Sequence, residues 1–522
     1  MIKEILLSIP PKDIQSPKAI IRHIQTFLSL KKTQHLNYEI LKRSVDARSR
    51  QVFYQLKLRV YIDEQNIPKI QSDYQARDVS NSPEVVIIGA GPAGLFCALQ
   101  CIVVGLKPVI IERGKNVRDR RRDLAILNRE GVLNEESNYC FGEGGAGTYS
   151  DGKLYTRSNK RGNIQQVLEW FHYFGADVSI RYDAHPHIGT NKLPQIIEAI
   201  REQIIACGGD IQFNTKMTDL KLNGDRVEAV QLNHKEYYPV KHLVLATGHS
   251  ASDVYELLHQ KNILMEAKPF ALGVRIEHPQ EIIDSIQYHC DVRDKDLPPA
   301  SYSLVDQVGE RGVFSFCMCP GGIIAPASTQ QNALVVNGWS PSKRNNPYAN
   351  SGMVVSVDQR DFGDKDVLAG LHFQQAIEQK AFKAGGGLFQ APAQRMTDFV
   401  ERRWSSSLPA CSYLPGVNSV LLQEVLPTEI YDALAKAFVS FGKKMMPRHR
   451  KEGYYTSEAI VVATESRTSS PVRIPRDKES LQHLQITNLY PCAEGAGYAG
   501  GIVSAAMDGM RIALKLKELM NP

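Results

Sequence analysis

Apolar residues run unbroken through Val85–Ile88, give way to glycines at positions 89, 91 and 94, and resume through "LFCALQCIVV". A second apolar run, "PVII", ends at Glu112. The pattern predicts strand, tight turn, helix and strand, because a parallel strand buried on both faces shows no polar alternation. Upstream, "KEILLSI" is strand-like, and "SPKAIIRHIQTFLSLKK" opens with a Ser-Pro helix start. "VFYQLKLRVYI" alternates like a half-buried strand. Residues 1–80 are therefore expected to form a small separate α+β module, closed by the polar linker "DEQNIPKIQSDYQARDVSNSPE".

Downstream, "QIIEAIREQIIACGGDIQFNTKM" predicts a helix ended by Gly208 and Gly209, then a strand. "DLKLNGDRVEAVQL" predicts a hairpin around Asn-Gly, and "HLVLATG" a buried strand. From about Pro269 the chain is strand-rich and then helical to about Gly453. The last 70 residues return to strand–turn–helix in "ITNLYPCAEGAGYAGGIVSAAMDGMRIALKL". The expected division is 1–80, 81–268, an insert at 269–453, and 454–522 returning to the domain begun at 81.

At 522 residues the chain is long enough for two or three domains. A net charge of +6 is mild on this length and does not by itself imply nucleic acid. No apolar run approaches the roughly 18 residues of a membrane span, and the N-terminus lacks a secretory core. Nine cysteines without a dense framework fit reduced thiols, and the expected location is the cytoplasm.

Gly89, Gly91 and Gly94 complete GxGxxG at the carboxyl end of the first strand. The first permits the tight turn, the second lets a pyrophosphate approach the backbone, and the third lets helix and strand pack closely. Phosphates then lie at a helix N-terminus, where free N–H groups favour negative charge. Glu112 falls where the fold places an acid for a ribose diol.

Three further stretches decide which dinucleotide is held. "CFGEGGAGTYSDGKLYT" is a dense glycine loop with no strand–turn–helix around it, suited to lay amides along a large flat cofactor. "LVLATGHSASD" ends a strand at Ala246-Thr247-Gly248. In "LYPCAEGAGYAGGIVSAAMDG", Glu494 precedes a glycine turn opening a helix, whose N-terminus suits the negative charge of a reduced flavin.

These elements, in this order, resemble the glutathione-reductase-type FAD-binding fold. The stretches "FGEGGAGTYSDGKL", "FCMCPGGIIAPAS", "NGWSPSKRNNPYANSG", "TESRTSSPVRIPRD" and "YPCAEGAGYAGGIVSAAMDG" further resemble the bacterial FAD-dependent, or NAD(FAD)-utilizing, dehydrogenase family, over roughly residues 35–518. The resemblance implies an α/β fold: a glutathione-reductase-type Rossmann FAD-binding domain, an inserted mixed α+β substrate domain and the small N-terminal α+β module. It implies non-covalent FAD, with Gly89, Gly91, Pro92, Ala93 and Gly94 cradling the pyrophosphate. Glu112 would bind the adenosine ribose with Arg113 beside it, and the Met217 backbone the adenine. Gly144, Gly145, Ala146 and Gly147 would run along the isoalloxazine, and Thr247 and Gly248 would close the pyrophosphate side. Glu494, Gly495, Gly500, Gly501 and Ile502 would take the ribityl chain and pyrimidine edge. Many relatives of the wider fold carry aspartate where this chain has Glu494, which implies a longer or water-mediated contact.

The expected activity is hydride transfer through flavin N5 to or from a small-molecule substrate. The chain lacks the usual second Rossmann domain for a nicotinamide, and "KAGGGLFQAP" follows a helix, so NAD(P)H is expected only as a transient donor. Cys317 and Cys319 alternate along a predicted strand. The simplest expectation is packing under the flavin, with a substrate-facing thiol or a redox disulfide as alternatives, the last disfavoured by strand geometry. No cysteine pair completes a zinc site, so no metal is expected. Cys97 and Cys101 are expected in the core. His249, Ser250, Asp151 and Lys153 lie near the expected cofactor as acid–base or phosphate-contact candidates. Arg275, in an apolar strand, needs a partner, either a substrate carboxylate or an ordinary ion pair, and Arg467 is similar. The run "RGKNVRDRRRD" is read first as a solvated helix face, alternatively as arginines for the FAD phosphates. An RNA-modifying flavoprotein is a second reading, resting on the N-terminal module and "KKMMPRHRK", though basic and stacking aromatic residues do not interleave. A flavin-binding redox sensor without turnover is a third.

Overall fold

The computed structural model describes residues 1–31, 33–64, 74–156, 162–447 and 453–520. Residues 65–73 of the expected linker and 448–451 of the basic cluster lie outside the described residues.

The centre is a five-stranded parallel sheet. Its spatial order is Leu489–Pro491, Leu243–Leu245, Glu84–Ile88, Lys107–Ile111, Asp210–Gln212. Val85–Ile88 is buried throughout, as its unbroken apolar run predicts. Helix Pro92–Val104 is buried from Ala93 to Ile102, each large side chain contributing about 2 kcal/mol of apolar burial. Helix Ile502–Met520 crosses it at Gly509, where an added Cβ would meet the Ala93 carbonyl oxygen at 2.1 Å. The expected hairpin forms from Met217–Asn223 and Arg226–Leu232, turning at Gly224 with φ +62°, and a third strand, Glu236–Pro239, extends it into a meander.

The insert is built on a seven-stranded mixed sheet. Its order is Val305–Val308, Arg311–Cys319, Tyr348–Val357, Phe270–Pro279, Ile460–Glu465, Ala391–Arg395, Val417–Ser419. Ile460–Glu465 pairs with both Phe270–Pro279 and Ala391–Arg395. The sheet therefore runs past the expected boundary at 453, because a strand's membership is set by distant ladder partners.

The N-terminal residues form a three-stranded antiparallel sheet, with Phe53–Ile62 between Ile2–Ile9 and Leu36–Asp46. Helix Pro17–Leu28 is capped as expected, the Ser16 hydroxyl accepting from the Ala19 N–H at 3.2 Å. The module packs closely against the rest of the chain. Ile5, Leu7 and Leu56 belong to one core with Ile283 and Ile286 of the insert. Tyr54 donates to the Asp296 carbonyl at 2.8 Å, and Arg43 forms a two-pronged pair with Asp183 at 2.6 and 2.9 Å. Among the described residues, no helix is long and apolar enough to cross a membrane.

Candidate flavin cleft

At the carboxyl end of Glu84–Ile88 each glycine has a separate steric reason. Gly89 sits at φ +106°, and an added Cβ would lie 2.5 Å from the Ala246 carbonyl oxygen. A Cβ on Gly94 would lie 1.9 Å from the Gly89 carbonyl oxygen, so only glycine lets the helix begin there. Gly91 differs: a Cβ there would meet only the Gly145 Cα, at 3.9 Å. The backbone at Gly91 therefore borders open space, beside Ala93 and Gly94 in the first helical turn, where N–H groups have no intrahelical acceptor.

Glu112 follows the second strand and is 5% exposed. One carboxylate oxygen accepts from the Ala90 N–H at 2.8 Å, the other from Gly114 at 2.8 Å and Gly142 at 2.9 Å. It thereby ties both glycine loops together, and three of its roughly four lone-pair sites are used, leaving one for a ligand hydroxyl. Arg113 stacks on Phe141, 4.1 Å from the ring centre, and pairs with Glu136 at 2.5 Å and Asp253 at 2.9 Å. Lys216 bridges the same two acids, and the buried Met217 follows it along the cleft wall.

The second glycine loop folds back on the first. The Gly144 N–H donates to the Ala90 carbonyl at 2.8 Å, and Gly145–Gly147 makes one 3-10 turn. Arg120 fastens it. Its guanidinium is fully buried and donates to the carbonyls of Asn138, Glu143 and Tyr139 at 2.8, 2.8 and 3.0 Å. The reading of the basic run as a solvated face holds for Arg118, Arg121 and Arg122 but not for Arg120, which three converging carbonyls draw inward. The composition of the run held no signal of this.

The opposite wall follows Leu243–Leu245. Thr247 and Gly248 line the cleft, and a Cβ on Gly495 would lie 2.6 Å from the Gly248 carbonyl oxygen. Glu494 lies 3.4 Å from His249 Nδ1, while His249 Nε2 contacts the Arg467 carbonyl oxygen at 3.1 Å. His249 is thus pinned at both nitrogens. Gly500 leaves room beside Glu494, whose Oε1 an added Cβ would meet at 3.3 Å, and Gly501 at φ +90° turns the chain into the helix at Ile502. The turn is braced by Asp508, which accepts from the Ala493 N–H at 2.8 Å and pairs with Arg476 at 2.6 and 2.9 Å. Sequence reasoning missed both residues. Asp508, an acid inside an apolar helical stretch, was the available signal.

The insert closes the cleft with Phe316, Cys317, Asn337 and Arg467. Arg275 is fully buried and spent. It donates to Asn350 at 2.8 Å, Asn337 at 3.2 Å, Glu465 at 3.0 Å and the Cys317 carbonyl at 2.7 Å. Of the two expectations for Arg275 the ion pair is the one found, and no donor is left for a substrate carboxylate. Burial pushes the Glu465 carboxyl up to about 7 against the pull of Arg275. Arg467 is likewise paired, with Glu378 at 2.8 and 3.0 Å. Asp151 sits between Lys153 at 2.8 Å and Arg344 at 2.6 Å; burial would raise its carboxyl, but the two cations hold it well below the ordinary range. Ser250 also lines the cleft.

Cys317 and Cys319 do not sit in a regular strand. Three steps from Phe316 to Cys319 face two from Gly352 to Asn350, which is a β-bulge, and Cys317 has φ +48°. Lys153 Nζ lies 3.5 Å from Cys319 Sγ and 3.9 Å from Cys317 Sγ, and an Arg275 nitrogen is 3.6 Å from Cys319 Sγ. These are polar, cationic surroundings rather than the apolar packing expected. Cys97 and Cys101 are fully buried in the core.

The walls enclose about 1540 Å³ of empty space, part of it open to solvent. An open backbone cradle at Gly91, unpaired first-turn N–H groups and a carboxylate with one remaining lone pair together fit an extended dinucleotide.

Residues 84–120 match the model of an FAD binding domain, and residues 269–468 that of "FAD-dependent protein, C-terminal domain-like". Residues 1–61 match a domain of unknown function. Similar solved structures include glycine oxidase from Bacillus cereus, 13% identical, covering 84% of this chain and 96% of that one at a TM-score of 0.32. The flavin-dependent brominase Bmp2 is 13% identical, covering 84% and 79% at a TM-score of 0.36. Likeness that low carries no argument. An uncharacterized protein of Clostridium beijerinckii is 39% identical over 505 residues, covering 93% of each chain. The chain therefore belongs to the same family as that protein, a family of FAD-dependent flavoproteins.

Proposed function

We propose that this protein is an FAD-dependent oxidoreductase acting on a small organic molecule. One observation carries the reading: the glycine cradle and the insert residues Phe316, Cys317 and Asn337 line a single cleft. A ligand held by the first would present its far end to the second.

In this reading Gly91 and the first turn of Pro92–Val104 hold the pyrophosphate, and the remaining lone pair of Glu112 takes a ribose hydroxyl. Backbone groups at Met217 meet the adenine, and Gly145–Gly147 supports the ring system. Glu494 and the helix N-terminus at Ile502 face the ribityl chain and the pyrimidine edge, where N–H groups suit negative charge. The strand order and the added meander favour the glutathione-reductase-type variant of the fold. Bound FAD supplies two-electron hydride chemistry at N5. The chain's part is to orient the substrate, with His249 fixed between Glu494 and Arg467 as the candidate proton carrier on that wall.

Gly495, Gly497 and Gly500 repeat the glycine spacing after Leu489–Pro491 but fall between Glu494 and Gly501, which line the same cleft. Among the described residues no second dinucleotide site is therefore built, and a nicotinamide donor would visit the open face transiently. Heat release and chromatography of the cofactor, followed by an anaerobic substrate screen watching flavin bleaching, test the proposal. Recovery of FMN, or of no flavin after reconstitution with FAD, would overturn it.

A further inference from the structure

Two thiols and an ammonium meet where the insert closes over the cleft. Cys317 lines the cleft and is partly exposed, while Cys319 is buried behind it. The Cys319 thiol donates to the Cys317 backbone carbonyl at 3.3 Å, and Lys153 reaches both sulfurs, at 3.5 Å from Cys319 and 3.9 Å from Cys317. Cys317 occupies a left-handed backbone position, which for a residue with a side chain is strained and recurs at functional sites.

The charges around the pair are not balanced without it. Lys153, Arg344 and Arg275 are three cations, Asp151 is an anion, and Glu465, pushed up to about 7 by burial, carries only part of a charge at neutral pH. Neighbouring His187 adds no charge at neutral pH, since burial and then Arg344 disfavour its protonation. Burial is the largest influence on Lys153 and opposes its charge, but Asp151 and the two cysteines together outweigh it and keep the ammonium. The group is left short of at least one negative charge, and the thiol pair is placed to supply one.

We propose that Cys317 and Cys319 form a redox-active dithiol, a second two-electron centre beside the flavin site, with the cleft-lining Cys317 the attacking sulfur and the buried Cys319 its partner. The neighbouring Cys319 sulfur is the largest cause holding the Cys317 thiol well below its ordinary range. Burial opposes it, and Lys153 and Arg275 assist. Cys319 is pushed the other way, chiefly by the Cys317 sulfur and then by burial. A low thiol beside a higher one is the arrangement in which one sulfur attacks and the other keeps its proton.

Oxidation balances with FAD as acceptor. The S–H bond of Cys319 breaks and an S–S bond forms. Two electrons and that proton pass to the acceptor, leaving a disulfide and a flavin reduced by two electrons. This rests on the flavin reading of the cleft, and the test separates the two. Trypsin releases Gly312–Lys343, which contains no cysteines but these. After diamide treatment of the full chain this peptide should be two hydrogens lighter and resist alkylation. After reduction it should take two alkyl groups, Cys317 first at neutral pH, and Lys153→Met should slow that first alkylation about tenfold. Anaerobic dithionite titration of the flavin-loaded protein should consume two more electrons per flavin than the Cys317→Ser, Cys319→Ser variant. Full alkylation of both thiols after diamide, or equal electron counts, overturns the dithiol. The peptide readout needs neither flavin nor variant. A disulfide in a protein that binds no flavin overturns the cleft's assignment, and bound flavin without a disulfide overturns the dithiol alone.

Discussion

Gly145 lies against Gly91, so closely that a methyl added at Gly145 would sit 3.0 Å from the Gly91 Cα. Two glycine loops more than fifty residues apart thus form one floor, and Glu112 bonds to both. The two positions are not equivalent, since a side chain at Gly91 has room in the protein and would intrude only on a ligand.

That asymmetry gives the first prediction. Gly91→Ala and Gly91→Val should fold, with the flavin-free melting temperature nearly unchanged, and lose FAD occupancy at least about tenfold. Gly89→Ala should instead destabilise by about 3 kcal/mol, since it combines a left-handed position with contact on Ala246. Flavin absorbance and melting curves separate the two. Full occupancy in Gly91→Val would show the pyrophosphate lies elsewhere.

Arg120→Met should cost about 3–5 kcal/mol in denaturant unfolding, because it strands three buried carbonyls. Arg121→Met, on the exposed face, should stay within about 0.5 kcal/mol. Similar losses in both would show that Arg120 is not the fastening point of the glycine loop.

Burial raises the Glu277 carboxyl from 4.5 to about 7, against hydrogen bonds from Ser412. A carboxyl that holds its proton more tightly in the fold than in the unfolded chain contributes fully below pH 4.5. That contribution is lost as pH climbs through 7. Glu277→Gln should therefore gain on the wild type by up to about 3 kcal/mol between acid and alkaline pH. Urea unfolding of both proteins on either side of that window measures it, and a gap independent of pH would refute it.

NADH and NADPH should reduce the flavin slowly, with a rate still linear in donor at micromolar concentration, because the described residues build one dinucleotide cleft, on one parallel sheet. Stopped-flow absorbance decides this. Fast reduction that saturates at low NADPH would mean a built nicotinamide site.

The chain by itself determined the nucleotide half of the molecule. Gly89 and Gly94 are legible because tight turns and close backbone crossings admit no other residue, Gly91 because a pyrophosphate must approach its backbone, and Val85–Ile88 because double burial erases polar alternation. Glu112 was legible from its distance to Gly89, although its bonds to three N–H groups were not.

Only the tertiary structure decided the rest. Arg120 looks like its exposed neighbours until three carbonyls from another segment converge on it. Ile460–Glu465 joins the insert because its ladder partners begin near residue 273, and pairing over such separations leaves no local mark. The bulge at Cys317 arises where two strands fall out of register, and it, not the residue type, brings two thiols under one lysine. Periodicity and turn chemistry act between near neighbours in the chain, whereas burial of charge, sheet membership and thiol chemistry depend on atoms that only folding brings together.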